Sequence, residues 1–425
     1  MMTSLHLLLW IASGIVLQVA IYLGVGFWRH WQEYQALRGR AVEFNLPVKG
    51  PVPTAESELA TASWPGFRTF RVERKVTEDV AQSVCSFYLV PEDGQALPPF
   101  LPGQFLTFRL DLPTTAGTEQ IIRCYSLSDA PRPDSYRVSI KRISPPVGSQ
   151  LPAGRSSNFF HDQVGVGSLL QVRAPAGHFH IDRSDAPVVL IGGGIGITPM
   201  LSMLNWCVLE QPGREVWLFY GVRDGSELVM RAHLAALADA HPNFHLFFCF
   251  SQPLPEEVVG RDYHHSGRID LALLRLKLAL KPYHFYICGP AQLMESLVPA
   301  LGDWGVPDAH IHFEAFGPAS VLRKQAETSA AAMPPNAAED GDIVVTFAKS
   351  GKQFPWQPTA GSLLAFAEAN GIPVDSGCRA GGCGTCQTTI RAGEVAYRQP
   401  PDYDPETGTC LLCVCVPRTS VTLEV

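Results

Sequence analysis

The stretch PVVLIGGGIGITPM, residues 187–200, joins an apolar run to a glycine-rich turn and a threonine–proline pair. The run predicts a buried strand, and the residues after the turn predict a helix. Glycines at such a turn let backbone N–H groups approach a phosphate, although tight strand-to-helix turns also use glycine for packing alone. Further along, apolar runs that predict strands, His245–Phe250 and His284–Cys288, alternate with stretches that predict helices, Leu228–Ala240 and Leu271–Leu278. This alternation predicts a parallel sheet in a Rossmann-like α/β domain over residues 186–318.

The residues before this domain have a different sequence pattern. Short runs rich in β-branched and aromatic residues are separated by glycine and proline: Arg68–Lys75, Val84–Val90, Gln104–Leu110, Ile121–Ser128 and Tyr136–Ile143. This pattern is typical of antiparallel sandwiches and barrels. We therefore expect an all-β domain, an antiparallel β-barrel, over residues 66–185.

The end of the chain predicts a small α+β domain over residues 342–425. The segments IVVTF, KSGK and QFPW predict a hairpin, and a short helix follows with Ser362 as its cap and Gly371 at its close. Residues 319–341 are small, polar and interrupted by proline, which is typical of a flexible linker.

The run DSGCRAGGCGTC, residues 375–386, spaces Cys378, Cys383 and Cys386 as C-x4-C-x2-C. This is the plant-type spacing of a [2Fe–2S] cluster, in which four thiolates hold two irons. Structural zinc sites, the alternative, favour paired C-x2-C knuckles. Three cysteines lie at a suitable distance to supply the fourth ligand: Cys410, Cys413 and Cys415.

Composition limits the function. The chain has 425 residues, 46% of them hydrophobic and 17% charged, so it can bury several cores and is not disordered in composition. A net charge of −7 gives no general attraction to nucleic acid. Of the 11 cysteines, five are scattered singly through the first three hundred residues, which argues against a disulfide framework. The other six lie between Cys378 and Cys415, as expected for a metal or cluster site, whose chemistry prefers a reducing compartment.

The segment Leu5–Trp28 contains no charged side chain. As a helix it would rise about 36 Å, enough to cross a hydrocarbon core of about 30 Å. A signal peptide is one alternative, and it is disfavoured because no Lys or Arg precedes the run and no small-residue cleavage site follows it. A buried helix of a soluble domain is the other alternative, and it is disfavoured because the run is apolar on all sides. We expect a single transmembrane anchor at residues 5–28 and a juxtamembrane linker at 29–65. Basic residues directly after the anchor predict an inner-membrane protein with cytoplasmic catalytic domains.

The run RCYSL offers a cation, an aromatic ring and a hydroxyl on one predicted strand, through Arg123, Tyr125 and Ser126. A flavin needs such groups for its phosphate, its isoalloxazine ring and its N5 atom, although a cross-strand Arg/Tyr pair explains the motif equally well. Further along, GRSSNFF places Gly154 and Ser157 where a helix amino terminus begins, and N–H groups there bind phosphate.

Together these stretches resemble the ferredoxin–NADP reductase superfamily over residues 66–318, most closely its flavohaemoglobin-like branch. The resemblance implies FAD, whereas the phthalate dioxygenase reductase branch uses FMN. It implies flavin contacts at Arg123, Tyr125, Ser126, Gly154 and Ser157. It implies a nicotinamide site at Gly193, Gly194, Gly196, Thr198, Pro199, Arg223, Cys288 and Gly289, with Glu314 and Phe316 bordering the flavin.

The resemblance implies that Ser126, Cys288 and Glu314 are the catalytic residues. Arg223 lies where the adenosine ribose would be, and the choice between NADH and NADPH stays open, because NADH users also carry an arginine there. Three pairs of histidines suggest metal ligands, but no further ligand is spaced to complete a site, so we interpret them as surface or packing residues.

The last domain resembles plant-type ferredoxins, which implies a β-grasp fold. In that family the closing cysteine leads into a strand shortly before a proline, and Cys413 ahead of Pro417 fits this register. The resemblance therefore implies Cys378, Cys383, Cys386 and Cys413 as cluster ligands, with Cys410 and Cys415 as packed thiols.

The order of flavin, nicotinamide and cluster domains resembles phthalate dioxygenase reductase and vanillate demethylase reductase. It predicts an NAD(P)H-dependent reductase that passes electrons through FAD and a [2Fe–2S] cluster to a partner protein. The anchor suggests a membrane-bound oxygenase, hydroxylase or desaturase as that partner. The alternatives are a redox sensor and a respiratory-type quinone reductase subunit, whose cluster domain precedes its flavin domain.

Overall fold

The computed structural model describes most of the chain after residue 63: residues 64, 66–115, 117–145, 152–316, 343–377, 379, 381–382, 384–397, 401, 403 and 405–425. The predicted anchor at 5–28 lies outside the described residues, as does the linker at 319–341. Within the described ranges, no helix has both the length and the apolar character needed to cross a bilayer.

The first part of the described chain is a barrel-like antiparallel sheet of six strands. These are β1 (Arg68–Thr77), β2 (Val84–Pro91), β3 (Phe105–Thr114), β4 (Gly117–Ser126), β5 (Tyr136–Lys141) and β6 (Leu169–Ala176), in the order β4-β3-β6-β1-β2-β5. Helix α1 (Arg155–Asp162) places the fully buried Phe160 against Phe87 and Phe108 in the core of this sheet. The predicted all-β character is confirmed, and β4 begins and ends earlier than the predicted 121–128.

The next part is a six-stranded parallel sheet, also as predicted. Its strands are β7 (Val188–Gly193), β8 (Val216–Val222), β9 (Phe244–Phe250), β10 (His265–Ser266), β11 (His284–Gly289) and β12 (Ile311–Ala315), in the order β10-β9-β8-β7-β11-β12. Its helices are α2 (Ile197–Glu210), α3 (Arg231–Ala240), α4 (Leu271–Lys277) and α5 (Ala291–Asp303). Helices cover both faces, with α2 in one apolar core and α4 and α5 in the other.

Helix α3 corrects the prediction of a helix from Leu228. The helix begins at Arg231 because Met230 has a φ of 55°, in the left-handed region that ends regular helical geometry. Leu228 and Val229 are buried ahead of the helix, so their apolar character comes from loop packing against the sheet.

The carboxyl-terminal part is mixed α+β. Its strands are β13 (Val344–Phe347), β14 (Lys352–Pro355), β15 (Gln387–Ala392), β16 (Val395–Tyr397), β17 (Thr409–Leu411), β18 (Cys415–Pro417) and β19 (Val421–Leu423). The main sheet runs β14-β13-β19-β15-β17, and β16 pairs with β18. The hairpin β13–β14 and the cap of helix α6 (Leu363–Ala369) are confirmed: the Ala365 N–H donates to the Ser362 Oγ at 3.2 Å.

Candidate active site and cluster site

Three of the five residues predicted to contact the flavin lie at the carboxyl end of β4. In the ladder with β3, Arg123 is opposite Phe108, Tyr125 opposite Leu106 and Ser126 opposite Phe105. Arg123 and Tyr125 therefore share one face of the sheet, and Ser126 lies on the other face, where the strand ends. Arg123 and Tyr125 are half-buried and Ser126 is buried.

Tyr125 is held by ring contacts and by one hydrogen bond. Its ring packs edge-on against Phe108 and Phe160, with centroid distances of 5.8 and 5.2 Å. Its hydroxyl shares a 2.7 Å hydrogen bond with Ser156 Oγ. Burial raises the pKa of Tyr125 to about 12, and the hydrogen bond with Ser156 only partly opposes this effect, so the phenol is neutral. Ser156 is a residue that the sequence prediction missed, although the adjacent Ser157 was identified.

The amino terminus of α1 adjoins this tyrosine. Gly154 is the residue before the helix, and a Cβ there would come within 2.7 Å of Ile143 Cβ and of Ser157 Oγ. Ser157 Oγ accepts from the Ile143 N–H at 3.2 Å and donates to the Gly154 carbonyl at 3.2 Å. The glycine is thus required by close packing, and Ser157 fixes the entry to the helix.

Positive charge surrounds this helix terminus. Arg123 donates to the Ile122 carbonyl at 2.6 Å, and Arg155 forms a two-point ion pair with Glu119 at 3.0 and 2.7 Å. The hydrogen bond from Arg155 lowers the pKa of Glu119, and Arg123 lowers it further through its charge. Two guanidinium groups and one carboxylate, beside the N–H groups of a first helical turn, are suited to bind a phosphate.

The glycine-rich turn connects β7 to α2 through a single 3-10 turn, Gly194–Gly196. Gly194 has a φ of 54°, which favours glycine. A Cβ on Gly196 would overlap the Cys288 carbonyl and lie 2.7 Å from the Gly289 nitrogen, and one on Gly193 would lie 2.8 Å from Pro290 Cδ. These glycines therefore allow two strand ends to approach each other.

Thr198 and Pro199 complete this turn. Both are buried in the first turn of α2, and Thr198 Oγ1 donates to the Ile195 carbonyl at 3.0 Å. The threonine hydroxyl thereby closes the turn, which keeps the amino end of α2 at the carboxyl edge of the parallel sheet. In open α/β sheets ligands bind at this edge.

Cys288 lies between the turn and β12. In the parallel ladders it is opposite Gly192 on β7 and Glu314 on β12, and Gly289 is opposite Ala315. Cys288 is fully buried, and burial, with the nearby Glu314 charge, raises the pKa of its thiol well above the usual value. It is a neutral thiol and not a thiolate nucleophile. Phe316 follows β12 and is 44% exposed.

Arg223 is the residue directly after β8, and its guanidinium is engaged. Its Nε donates to Glu227 Oε1 at 3.0 Å and a second guanidinium nitrogen contacts the same oxygen. The Glu227 side chain is only 10% exposed and also faces Lys141 Nζ at 3.5 Å. Burial alone would raise the pKa of Glu227, but Arg223 and Lys141 lower it, so the carboxylate is charged.

Of the four predicted cluster ligands, Cys386 and Cys413 are described, and Cys378 and Cys383 lie outside the described residues. Cys386 is buried and Cys413 is half-buried. The Leu412 N–H donates to the Cys386 carbonyl at 3.2 Å, which ties the two cysteine-bearing segments together. Cys410 and Cys415 are fully buried, and the hydrogen bond between them together with burial raises the pKa of Cys415. This arrangement agrees with packed thiols at those two positions.

The loop around Cys386 fits a cluster. Gly381 and Gly384 have φ values of 79° and 67°, and a Cβ on Gly384 would lie 2.6 Å from the Tyr403 ring. Thr385 Oγ1 and Gln387 Oε1, on either side of Cys386, are buried without a hydrogen-bond partner among the described residues. A tightly wound loop that carries the Cys386 thiol beside a buried hydroxyl able to donate to sulfur is suited to an iron–sulfur group.

The histidines do not form a metal site in the part of the chain that is described. His284 and His310 stack at a ring centroid distance of 4.1 Å, and Tyr286 stacks on His312 at 4.5 Å. No group of three or more His, Cys, Asp or Glu side chains among those residues is placed to hold a metal ion. The stacked rings pack the edge of the parallel sheet.

Two protein-family models match the chain. The oxidoreductase NAD-binding domain matches residues 190–298, and the 2Fe-2S iron-sulfur cluster binding domain matches residues 345–418. The first contains the glycine-rich turn and Cys288, and the second contains the four cysteines proposed as ligands.

The chain is also similar to characterised proteins. A flavohemoprotein of Halalkalibacterium halodurans is 38% identical over 268 residues, 63% of this chain and 64% of that protein. A flavohemoprotein of Rhizobium meliloti is 39% identical over 263 residues, 62% of this chain and 63% of that protein. The chain therefore spans just under two thirds of the length of these relatives.

Two solved structures extend the comparison. The flavohem-like FAD/NAD binding domain of nitric oxide dioxygenase from Vibrio cholerae is 33% identical with a TM-score of 0.52, and the match covers 60% of this chain and 100% of that one. Phthalate dioxygenase reductase is 27% identical with a TM-score of 0.52, covering 85% of this chain and 98% of that one.

The fold and the matched domains define the class: the protein is an NAD(P)H oxidoreductase whose cofactors are FAD and a [2Fe–2S] cluster. Its reductase part belongs to the flavohaemoprotein-like family of FAD/NAD-binding domains, because the chain covers the whole of the Vibrio cholerae domain at 33% identity. The predictions of enzyme class and cofactors are confirmed.

Proposed function

We propose that this protein is the reductase component of a multicomponent system. It takes two electrons from NAD(P)H onto FAD, passes them singly to the [2Fe–2S] cluster and delivers them to a partner oxygenase, hydroxylase or desaturase. One observation carries the proposal: the glycine-rich turn and the cysteine-rich loop around Cys386 lie in one chain, and that chain matches both an NAD-binding and a 2Fe-2S domain family. The similarity to phthalate dioxygenase reductase, a structure described as modular for electron transfer from pyridine nucleotides to [2Fe-2S], supports it.

The side chains of the flavin site bind and orient. Arg123 and the first turn of α1 hold phosphate, and the neutral Tyr125 gives a flat surface whose hydroxyl is fixed by Ser156. When bound, the flavin accepts electrons in pairs and releases them singly, which neither a nicotinamide nor a [2Fe–2S] cluster does.

The residues of the nicotinamide site shape a closely packed surface. Gly193 and Gly196 let the turn approach Cys288 and Gly289, so the backbone itself forms the floor of the site. The buried thiol of Cys288 adds a small uncharged group beside Glu314.

The test is steady-state turnover of the purified, cluster-loaded protein. We expect NAD(P)H-dependent reduction of cytochrome c, a one-electron protein acceptor. A protein that holds both cofactors and reduces no artificial acceptor would instead be a sensor, and the proposal would be wrong.

We also propose that residues 5–28 anchor the protein in the inner membrane, with the catalytic domains in the cytoplasm. The support is the uncharged apolar run and the basic residues after it. Membranes from cells that express the full chain should retain the flavoprotein after an alkaline carbonate wash, whereas a variant lacking residues 5–28 should be recovered in the supernatant. Equal release of both would contradict the anchor.

A further inference from the structure

A polar link joins the end of β4, the strand that carries three of the predicted flavin contacts and is called the flavin strand below, to helix α2. Asp129 lies three residues beyond Ser126, in the loop after β4. Its Oδ1 accepts a hydrogen bond from Asn205 Nδ2 at 2.7 Å, and its main-chain carbonyl accepts one from Ser202 Oγ at 2.8 Å. Ser202 and Asn205 belong to α2, the helix that begins at the glycine-rich turn. Both are buried.

The link is short on both sides. Ser202 and Asn205 are four and seven residues beyond Thr198, so they lie on one helical face, about 6 and 10 Å along the axis from it. On the other side only Leu127 and Ser128 separate Asp129 from Ser126. Because so few residues lie on either side of Asp129, a shift at Asp129 is transmitted to the glycine-rich turn and changes its position relative to the flavin strand.

Buried charged and polar groups hold Asp129 in place. Arg137, on β5 and 8% exposed, lies with Nη1 3.6 Å from Asp129 Oδ2 and donates from Nε to Ser128 Oγ at 3.2 Å. From α3, His233 Nε2 shares a 3.0 Å hydrogen bond with Asn205 Oδ1. Removing a buried charge from its partner is costly, so this set of groups has one preferred arrangement.

Packing alone does not set the spacing at this point. Asp129, Arg137, Asn205 and His233 line a groove of about 690 Å³ between the barrel and the helices α2 and α3. Elsewhere, main-chain hydrogen bonds keep the two parts together: Met230 N–H to the Glu78 carbonyl at 3.0 Å and Ala81 N–H to the Ser226 carbonyl at 2.9 Å. Loss of the Asp129 link should therefore change the relative position of the parts without separating them.

We propose that Asp129 is a positioning residue that sets the approach of the nicotinamide to the flavin. The inference rests on the proposed function. In that reaction the C4–H bond of the dihydronicotinamide breaks and an N5–H bond of the flavin forms, which gives NAD⁺ and reduced flavin. Misplacement of reacting atoms by 1 Å lowers such a rate by about a hundredfold. Asp129 itself touches neither reactant.

The test uses the nucleotide that reduces the wild-type flavin, NADH or NADPH. It compares single-turnover flavin reduction by that nucleotide and by the same nucleotide deuterated at C4, under anaerobic conditions, in the full holoprotein. For Asp129→Ala we expect the limiting rate to fall at least tenfold with a larger isotope effect, while flavin content and the dissociation constant of that nucleotide stay within about twofold. Asp129→Asn keeps an acceptor for Asn205 and should recover much of the rate. Asp134→Ala is the matched control, because Asp134 is exposed and lines the same groove.

The double variant Ser202→Ala/Asn205→Leu removes both hydrogen bonds from the other side, including the Ser202 bond to the main-chain carbonyl that Asp129→Ala retains. It replaces Asp129→Ala as the deciding variant if that protein does not fold. A purely structural role would lower stability and leave the rate and isotope effect of the folded protein unchanged. A limiting rate within twofold of Asp134→Ala would overturn the inference. Failure of the wild-type flavin to be reduced by either NADH or NADPH would instead overturn the proposed function.

Discussion

Arg123 is the side chain at which flavin binding is most directly tested. It lies beside the amino terminus of α1, and the other guanidinium there, Arg155, is occupied by Glu119. A charge-assisted hydrogen bond contributes roughly 1.5–3 kcal/mol, so Arg123→Ala should weaken flavin binding by about tenfold to a hundredfold. Fluorescence titration of the apoprotein measures this. Arg109→Ala is the control, because Arg109 lies on β3 over the ring of Phe67. Equal affinities in the two variants would remove Arg123 from the phosphate site.

Asp182 is a second residue whose charge has a measurable consequence. Burial alone would raise its pKa, but Ser184 hydrogen bonds and the fully buried Arg214 lower it to about 2. A depressed carboxyl pKa stabilises the fold above the ordinary value near 4, and this contribution is lost as the pH falls from about 4 to about 2. We expect Asp182→Asn to lose roughly 2 kcal/mol of unfolding free energy at pH 6.

The loss is measured by urea unfolding with flavin release as the signal. The gap between wild type and Asp182→Asn should narrow below pH 4, while Asp185→Asn, at an exposed position in the same loop, should match wild type throughout. A gap that stays constant from pH 6 to pH 3 would contradict the assigned role.

The sequence identifies those functional residues whose interacting neighbours lie close to them in the chain. Arg123, Tyr125 and Cys288 stand out because their motifs are local. Ser156 and Asp129 do not, because their importance comes from Tyr125, Ser202 and Asn205, which are 31 to 76 residues away.

Among the elements, the glycine-rich turn has the clearest steric requirement. A Cβ on Gly196 would meet main-chain atoms of Cys288 and Gly289, which cannot rotate away. Gly196→Ala should therefore displace the turn, raise the KM for NAD(P)H at least tenfold and lower stability by about 1–3 kcal/mol. Gly213→Ala is the control, because nothing lies within 4 Å of a Cβ there. Matching kinetics in the two variants would contradict the close approach.

Strands β1 to β5 of the barrel and β7, β9 and β11 of the parallel sheet are predicted because burial imposes regular apolar patterns, whereas β6, β10 and β12 are not. Boundaries are less predictable. Leu228 and Val229 read as helix, yet the left-handed Met230 places them in a loop that packs against the sheet. The α1 start at Gly154 was predictable from local glycine and serine, whereas β15 to β19 are short and their pairing depends on contacts distant in sequence.

For the whole molecule, the cluster should separate two activities. Cys413→Ser should remove the [2Fe–2S] signal and abolish most cytochrome c reduction, while NAD(P)H-dependent reduction of ferricyanide, which reaches the flavin directly, should stay within about twofold. Cys410→Ser and Cys415→Ser are the matched controls, because both thiols are buried in the core of the same domain. Retention of the cluster in Cys413→Ser with its loss in Cys410→Ser or Cys415→Ser would reassign the fourth ligand.

Electron transfer from the nucleotide to the cluster is tested most directly by an anaerobic titration of the purified protein with NADH and with NADPH, followed by visible absorbance and by electron paramagnetic resonance. With at least one nucleotide, we expect the flavin absorbance to fall and a rhombic signal from the reduced [2Fe–2S] cluster to appear in the same titration. A protein whose flavin is reduced by the nucleotide, and whose cluster is reduced by dithionite but never by the nucleotide, would contradict the transfer of electrons between the two.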